Sequence, residues 1–253
     1  MLYIVESTGM CGRYTLRKGF KSLGESVGDY LLENKVEALG ESVPRYNIAP
    51  TQNNTVFLPS QNNSKILNTS RMRWGLVPSW SKEPRSQSPM INARSETVFD
   101  KPSFRSAFER RRCLVPADGF YEWKRRNGIN QPYHFTLRDE APFCMAGIWE
   151  SWTGKDGYEI QSYTILTTRA NSLMAKFHDR MPVILSAERC RDWLELNTSS
   201  INKIKASEIF APFDSQAMAY KVANPVVNNN SNEGPACLEA PTAADQPQLD
   251  LDL

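Results

Sequence analysis

The sequence predicts an α+β fold in which strands predominate, and three observations carry that prediction. Short runs of alternating or β-branched residues recur along the chain, turn-forming residues separate them at short intervals, and few stretches show the 3.6-residue spacing of an amphipathic helix. Tyr14-Thr15-Leu16 reads as a buried opening strand. Phe20, Leu23, Val27, Leu31 and Leu32 fall near helical spacing and predict a helix over 18–39, weakened by Gly24 and Gly28. In Arg45-Tyr46-Asn47-Ile48-Ala49-Pro50, the proline forces an extended approach and removes a donor, so a shaped loop leads into a strand over 55–58. A strand over 65–74 follows the polar turn 61–64 and runs into an apolar loop that ends at Trp80; 81–88 reads as a polar surface insertion. Further strands are predicted at 133–137, 143–150, 161–168 and 218–222, with reversals at Asp118-Gly119, 138–141 and 154–157. Helices are predicted at 104–112, 171–177, 186–196 with Ser186 as cap, and 200–210.

The totals exclude several classes. No apolar run approaches the length of a membrane span, and the first ten residues lack the basic start of a secretory signal. The five cysteines, at 11, 113, 144, 190 and 237, are scattered and never spaced as a zinc site or redox pair, which points to free thiols in a reducing, cytoplasmic compartment and to no metal cofactor. The net charge of +2 hides a division. Residues 224–253 hold five acids and no Lys or Arg, so residues 1–223 set all 30 basic residues against 23 acids. A surplus of seven suits an acidic partner such as nucleic acid. The composition of 224–253, rich in Asn, Ser, Pro, Ala and acids, describes a disordered tail behind a single folded domain.

Candidate chemistry starts at Cys11. If translation begins at Met10, or the leader 1–9 is removed together with Met10, Cys11 carries an α-amine beside its thiol. Such a 1,2-aminothiol condenses with an aldehyde to a Schiff base and closes it to a thiazolidine, which no internal cysteine can do. The α-amine, with a pKa of roughly 8 against about 10.4 for lysine, is partly the free base at neutral pH. Gly12 lets a substrate approach closely and Arg13 supplies a fixed cation. Asn92 and Arg94 lie two apart, so an extended segment points both to one face; the alternative is a pair between Arg94 and Glu96. Glu122 sits between Tyr121 and Trp123, a setting for a desolvated acid-base carboxyl or for one turned to solvent. Of the two histidines, His134 lies in an alternating strand and reads as structural or exposed, whereas His178 stands at a helix-to-strand junction beside Asp179.

The opening MCGRYT, then RYNIAPTQ, MRWGLVPSW, INARSET, RRCLVPADGFYEWK and HDRMPVIL resemble, in order and spacing, the SRAP family, the SOS-response-associated peptidases that crosslink to abasic sites in single-stranded DNA. The resemblance covers 10–222 and implies a mainly antiparallel β fold with peripheral helices, the SRAP domain running over 10–223. It implies that Cys11 supplies amine and thiol, Asn92 orients the opened sugar, Glu122 serves Schiff-base formation and reversal, and His178 handles the proton of the ring oxygen. Arg13, Arg94 and Thr167 look like phosphate holders, Trp80 and Trp123 like the aromatics around the bent strand; Ser81 stands where some relatives carry a second aromatic. The nine residues before Met10 depart from the family pattern and read as a misassigned start or a self-cleaved leader. The tail ends Gln248-Leu249-Asp250-Leu251-Asp252-Leu253, similar to the bacterial sliding-clamp hexapeptide, with Gln248, Leu249, Leu251 and Leu253 as anchors. The expectation is a monomeric DNA-damage enzyme with autopeptidase and lyase chemistry, nucleoid-associated if bacterial. Its rivals are a cysteine autopeptidase acting only on its leader, and a non-catalytic single-stranded DNA-binding module.

Overall fold

In chain order the strands are β1 (Arg13–Leu16), β2 (Leu31–Leu32), β3 (Arg45–Ile48), β4 (Asn53–Pro59), β5 (Ile66–Trp74), β6 (Asn92–Arg94), β7 (Arg112–Ala117), β8 (Gly119–Arg126), β9 (Ile129–Leu137), β10 (Phe143–Thr153), β11 (Glu159–Arg169), β12 (Arg180–Pro182), β13 (Ile184–Leu185) and β14 (Met218–Val222). Two short helices, α1 (Arg105–Arg110) and α2 (Ala187–Leu194), lie outside the sheets. This computed structural model describes residues 12–19, 31–32, 43–60, 66–84, 89–126, 129–196 and 208–241. Among them, no helix is long and apolar enough to cross a membrane.

The first sheet runs β14-β9-β8-β1-β3 and is antiparallel throughout. The second runs β12-β11-β10-β7-β4-β5-β2, and β5 pairs again with β11, so that β11, β10, β7, β4 and β5 form a closed ring. Closure leaves those five strands without an open edge between them. Every described pairing is antiparallel except β2–β5, β5–β11 and β6–β11, so the mainly antiparallel α+β expectation holds. Inside, Tyr14 from the first sheet meets the second: its hydroxyl lies 2.8 Å from that of Tyr163, and Trp74 packs edge-on against Tyr14 and stacks on Tyr163.

Local chemistry explains the helices. Ser186 caps α2, its hydroxyl accepting from the Arg189 amide at 3.3 Å. The two arginines that follow α1, Arg111 and Arg112, serve the fold. Arg112 donates to the carbonyls of Phe108 and Glu109 at the end of α1 and of Trp193, Leu194 and Leu196 at the end of α2, filling acceptors that both helices would leave open. Arg111 pairs with Glu150 at 2.6 Å.

Two expectations meet a different structure, and a third lies largely outside the described residues. Most of the helix predicted over 18–39 lies outside the described residues, and within it Leu31–Leu32 forms a strand parallel to β5. Most of the helix predicted over 200–210 also lies outside. The helix expected over 171–177 is a single 3-10 turn, Met174–Lys176, started by the Asn171 carboxamide accepting from the Leu173 and Met174 amides.

The tail boundary moves as well. Residues 224–241 fold back onto β1 and β3, with 3-10 turns at Pro225–Asn228 and Pro235–Leu238. Asn47, wholly buried, donates its amide to the carbonyls of Val227, Asn229 and Asn232, and Glu233 accepts from the backbone amides of Tyr46 and Asn47 while pairing with Arg45 at 2.9 Å. Glu233 thereby satisfies amides on the outer edge of β3. Residues 242–253, with the clamp-like hexapeptide, lie outside the described residues.

Gly119 marks the tightest approach in the first sheet. A Cβ there would stand 2.2 Å from His134 Nε2 and 2.8 Å from the Phe135 carbonyl. Because backbone cannot yield as a side-chain tip does, Gly119→Ala is expected to cost about 3 kcal/mol, lowering Tm by roughly 6–12 °C for a chain of this size. A melting curve coincident with the wild type would refute this packing account.

Candidate functional site

β1 forms the axis of the site. It lies between β8 and β3, and a buried carboxylate ties down its far end: Asp118 accepts from the Thr15 hydroxyl at 2.6 Å, from the Arg17 and Lys18 amides at 2.6 and 3.0 Å, and from Arg17 Nε at 3.1 Å. At the near end stands Gly12, next to which a Cβ would meet nothing within 4 Å. Cys11 itself lies outside the described residues.

Glu122 lies on β8 and is 4 % exposed, its backbone opposite Tyr133 of β9. Strand alternation sets it on the same face as Phe120 and Lys124, and sets Tyr121 and Trp123 on the other. The Glu122 face is covered by Phe177: its ring lies 4.8 Å from Tyr133 and 5.0 Å from Phe135, with Lys124 Nζ 5.6 Å above it. Phe177 immediately precedes His178, so the turn bearing His178 is anchored on the face that carries Glu122.

His178 is half-buried. Its Nδ1 lies 3.0 Å from the Arg180 amide and 2.8 Å from Asp179 Oδ1. One nitrogen cannot accept from an amide and donate to a carboxylate together, so the two contacts are alternatives.

Asn92 and Arg94 lie on β6 of the second sheet, which runs parallel to β11 with Asn92 beside Ile165 and Arg94 beside Thr167, while β12 pairs with β11 as well. Asn92 is half-buried and Arg94 exposed. Glu96 pairs with Arg180, at 2.5 and 2.8 Å in a two-pronged fork, and not with Arg94 among the described residues. That hydrogen-bonded fork holds the Glu96 carboxyl below its ordinary range. Thr167 differs from expectation. It is wholly buried, its hydroxyl 3.5 Å from the Ala93 carbonyl and 3.3 Å from Arg180 Nη2, so it braces β6, β11 and β12 and has no surface to offer a phosphate.

On the other face of β8, Arg13 turns inward. Its Nη1 donates to Asn47 Oδ1 at 2.8 Å and to the Val227 carbonyl at 2.7 Å, and its guanidinium stands 5.9 Å above the Trp123 ring. Burial works against its charge and lowers its pKa. Trp123 is half-buried and donates to Asn228 Oδ1 at 2.7 Å, whereas Trp80, on a turn, is 66 % exposed. The turn is held by Trp152, whose Nε1 donates to the Ser81 carbonyl at 2.7 Å. Among the described residues, no group of three or more His, Cys, Asp or Glu is placed to hold a metal.

His134 is structural. It is wholly buried against the Thr15 hydroxyl at 3.1 Å, and burial lowers its pKa to about 3. The fold thus refuses a proton that the unfolded chain accepts below about pH 6.5. Stability from this residue is complete above that value and declines as pH falls toward 3, by at most about 1.4 kcal/mol per pH unit. Urea midpoints measured from pH 7 to 4 should fall more steeply in the wild type than in His134→Gln; parallel slopes would contradict this assignment.

Residues that sequence reasoning did not single out are Asn47, Asp118, Glu233 and Arg180. The first and third depend on each other across 186 residues, which no local pattern reveals. Asp118 had a local signal, since it opens the reversal predicted at Asp118-Gly119.

The fold is β-rich, with a buried carboxyl on β8, a half-buried histidine at a junction, and exposed Arg94 and Trp80 side chains. Residues 10–230 match the family model of the SOS response associated peptidase (SRAP), and the chain belongs to that family. It is 36 % identical over 233 residues to the abasic site processing protein YoaM of Bacillus subtilis, covering 91 % of this chain and 98 % of that one. It is 34 % identical to the abasic site processing protein HMCES of Xenopus tropicalis, covering 78 % of this chain and 66 % of that one. A crystal structure of a protein from Bacteroides thetaiotaomicron superposes with a TM-score of 0.73 at 26 % identity, over 90 % of this chain and 99 % of that one.

Proposed function

We propose that this chain captures abasic sites in single-stranded DNA as a covalent thiazolidine, through a Cys11 made N-terminal by loss of Met10 or of the leader. The observation that carries the reading is the open space beside Gly12 at the head of β1, together with the buried carboxyl of Glu122 on the adjoining strand. Names of relatives as abasic site processing proteins support the substrate.

The steps balance as follows. The opened deoxyribose presents an aldehyde, the α-amine adds to it, and loss of water gives an imine. The thiol then adds across the C=N bond, forming C–S while its proton goes to nitrogen. Glu122 moves the protons of imine formation, and His178 takes or returns the proton of the ring oxygen through its Nε2 side. Asn92 orients the sugar. Arg94 and the remaining donors of Arg13 meet phosphates, while Trp80 and the Trp123 ring flank the bases. Thr167 acts only by bracing Arg94 and Arg180.

The test is intact-mass spectrometry of protein started at Met1 and at Met10, with an oligonucleotide carrying one abasic site. A denaturation-resistant adduct is expected only where the mass places Cys11 first. A verified Cys11-first protein without an adduct would favour the plain binding module, and leader removal without DNA would reveal the autopeptidase.

Gln248, Leu249, Leu251 and Leu253 are assigned to a sliding-clamp peptide, on the strength of their spacing. A peptide of the last dozen residues should bind a bacterial clamp and lose binding on Gln248→Ala; equal binding by both would end the assignment.

A further inference from the structure

A second cluster of arginines lies outside the site described above. Arg71 and Arg73 of β5, Thr51 and Asn53 before and on β4, Pro84, and residues 158–161 at the start of β11 line a cavity of about 490 Å³. Backbone carbonyls orient both guanidinium groups: Arg71 Nη2 donates to Asn53 at 3.2 Å and Arg73 Nη1 to Pro84 at 3.2 Å. Neither forms an ion pair among the described residues, and a guanidinium anchored by one N–H has others to offer an anion. Glu159 is the carboxylate of the cavity, and it accepts from the Ser151 hydroxyl at 2.5 Å. Gln161 Oε1 accepts from Ser70 at 3.2 Å, which leaves its amide group as the donor end. At the mouth stands Tyr158, a ring 63 % exposed. Two oriented forks, an amide and an open aromatic face match the parts of a nucleotide unit: phosphate and base.

Two connections name the occupant. The turn that presents Trp80 continues through Ser81, held by Trp152, to Pro84 on the cavity wall. The cavity also lies at one end of β11, whose other end pairs Thr167 with Arg94; the six residue steps from Gln161 to Thr167 span roughly 20 Å. Pro84, on the cavity wall, stands four positions after Trp80 in the chain.

We propose that this cavity takes a phosphodiester of the single strand flanking the lesion, with Arg71 and Arg73 as phosphate forks and Tyr158 as a base platform. The proposal rests on the single-stranded DNA reading but not on covalent capture. Arg71 and Tyr158 are exposed, so Arg71→Gln combined with Tyr158→Ala spares the core. Undamaged single strands of about 20 and about five nucleotides would be titrated against both proteins over a range of salt. The double variant should lose about tenfold affinity for the long strand, with its salt slope reduced by about 0.7 per phosphate contact removed. Binding of the short strand, and adduct yield with a short abasic strand, should stay unchanged. Equal affinity and slope for the long strand in both proteins would overturn the proposal, as would an equal loss for the short one. Absence of adduct in the wild type would count against covalent capture alone, because the binding comparison does not depend on it.

Discussion

Replacing Cys11 by alanine should abolish the denaturation-resistant adduct while leaving the melting temperature within about a degree of the wild type, because the change removes one sulfur beside Gly12, where an added Cβ would meet nothing within 4 Å. The informative companion is Cys11→Ser. It keeps the α-amine, so an imine with the abasic aldehyde still forms, and a hydride reductant should trap it as a stable adduct. Without reductant the serine variant should give almost none, since a hydroxyl closes the ring far less favourably than sulfur and water returns the imine to its parts. A reductant-independent adduct formed by the serine variant at the wild-type rate would sink the thiazolidine account and leave a simple Schiff base in its place. A residue retained ahead of Cys11 should behave like a loss of the amine altogether, whatever the state of the thiol.

Glu122→Gln is expected to slow adduct formation by roughly 10²- to 10⁴-fold, the usual contribution of a positioned acid-base group. The amide matches the carboxyl in shape but cannot move a proton. The residue is 4 % exposed, and a neutral isostere carries no buried-charge cost, so the fold should survive. Single-turnover time courses across pH would read the effect: the wild-type profile should contain a limb that the glutamine variant lacks. A variant that melts like the wild type and reacts as fast would remove Glu122 from the proton path.

How much of this was legible in the sequence depended on whether a segment's chemistry was local. The Ser186 cap and the strands β1, β8, β9 and β14 announce themselves through turn residues and alternation, and they stand where expected; β3 stands where a shaped loop was expected, and at Asp118 the chain passes from the second sheet to the first. Thr167 did not announce itself. From Ser162 to Thr168, β11 is buried on both faces, so alternation carries no sign of which side chain meets solvent. Arg94 and Glu96 suggested a neighbourly pair, yet Glu96 found Arg180, a partner 84 residues away that offers a two-pronged fork. The segment after Ala223 was hardest. Its asparagines read as disorder by composition, but Asn224 and Asn229 each accept from an amide two residues on, and such side-chain turns fold a polar stretch without an apolar core. What closes it down, Asn47, is a single buried amide far away in the chain.

The position of β1 has a mechanical consequence. A protein joined to DNA through the residue before Gly12 carries the load of any pull on that DNA at the head of this strand. β1 is hydrogen-bonded along both edges, to β8 and β3, and Asp118 grips its far end. Tension directed along the strand is therefore shared by both ladders and the clamp at once, as shear, instead of opening them one bond at a time, as peeling would. On the proposed linkage the tether would be anchored on a strand held along both edges and gripped at its far end.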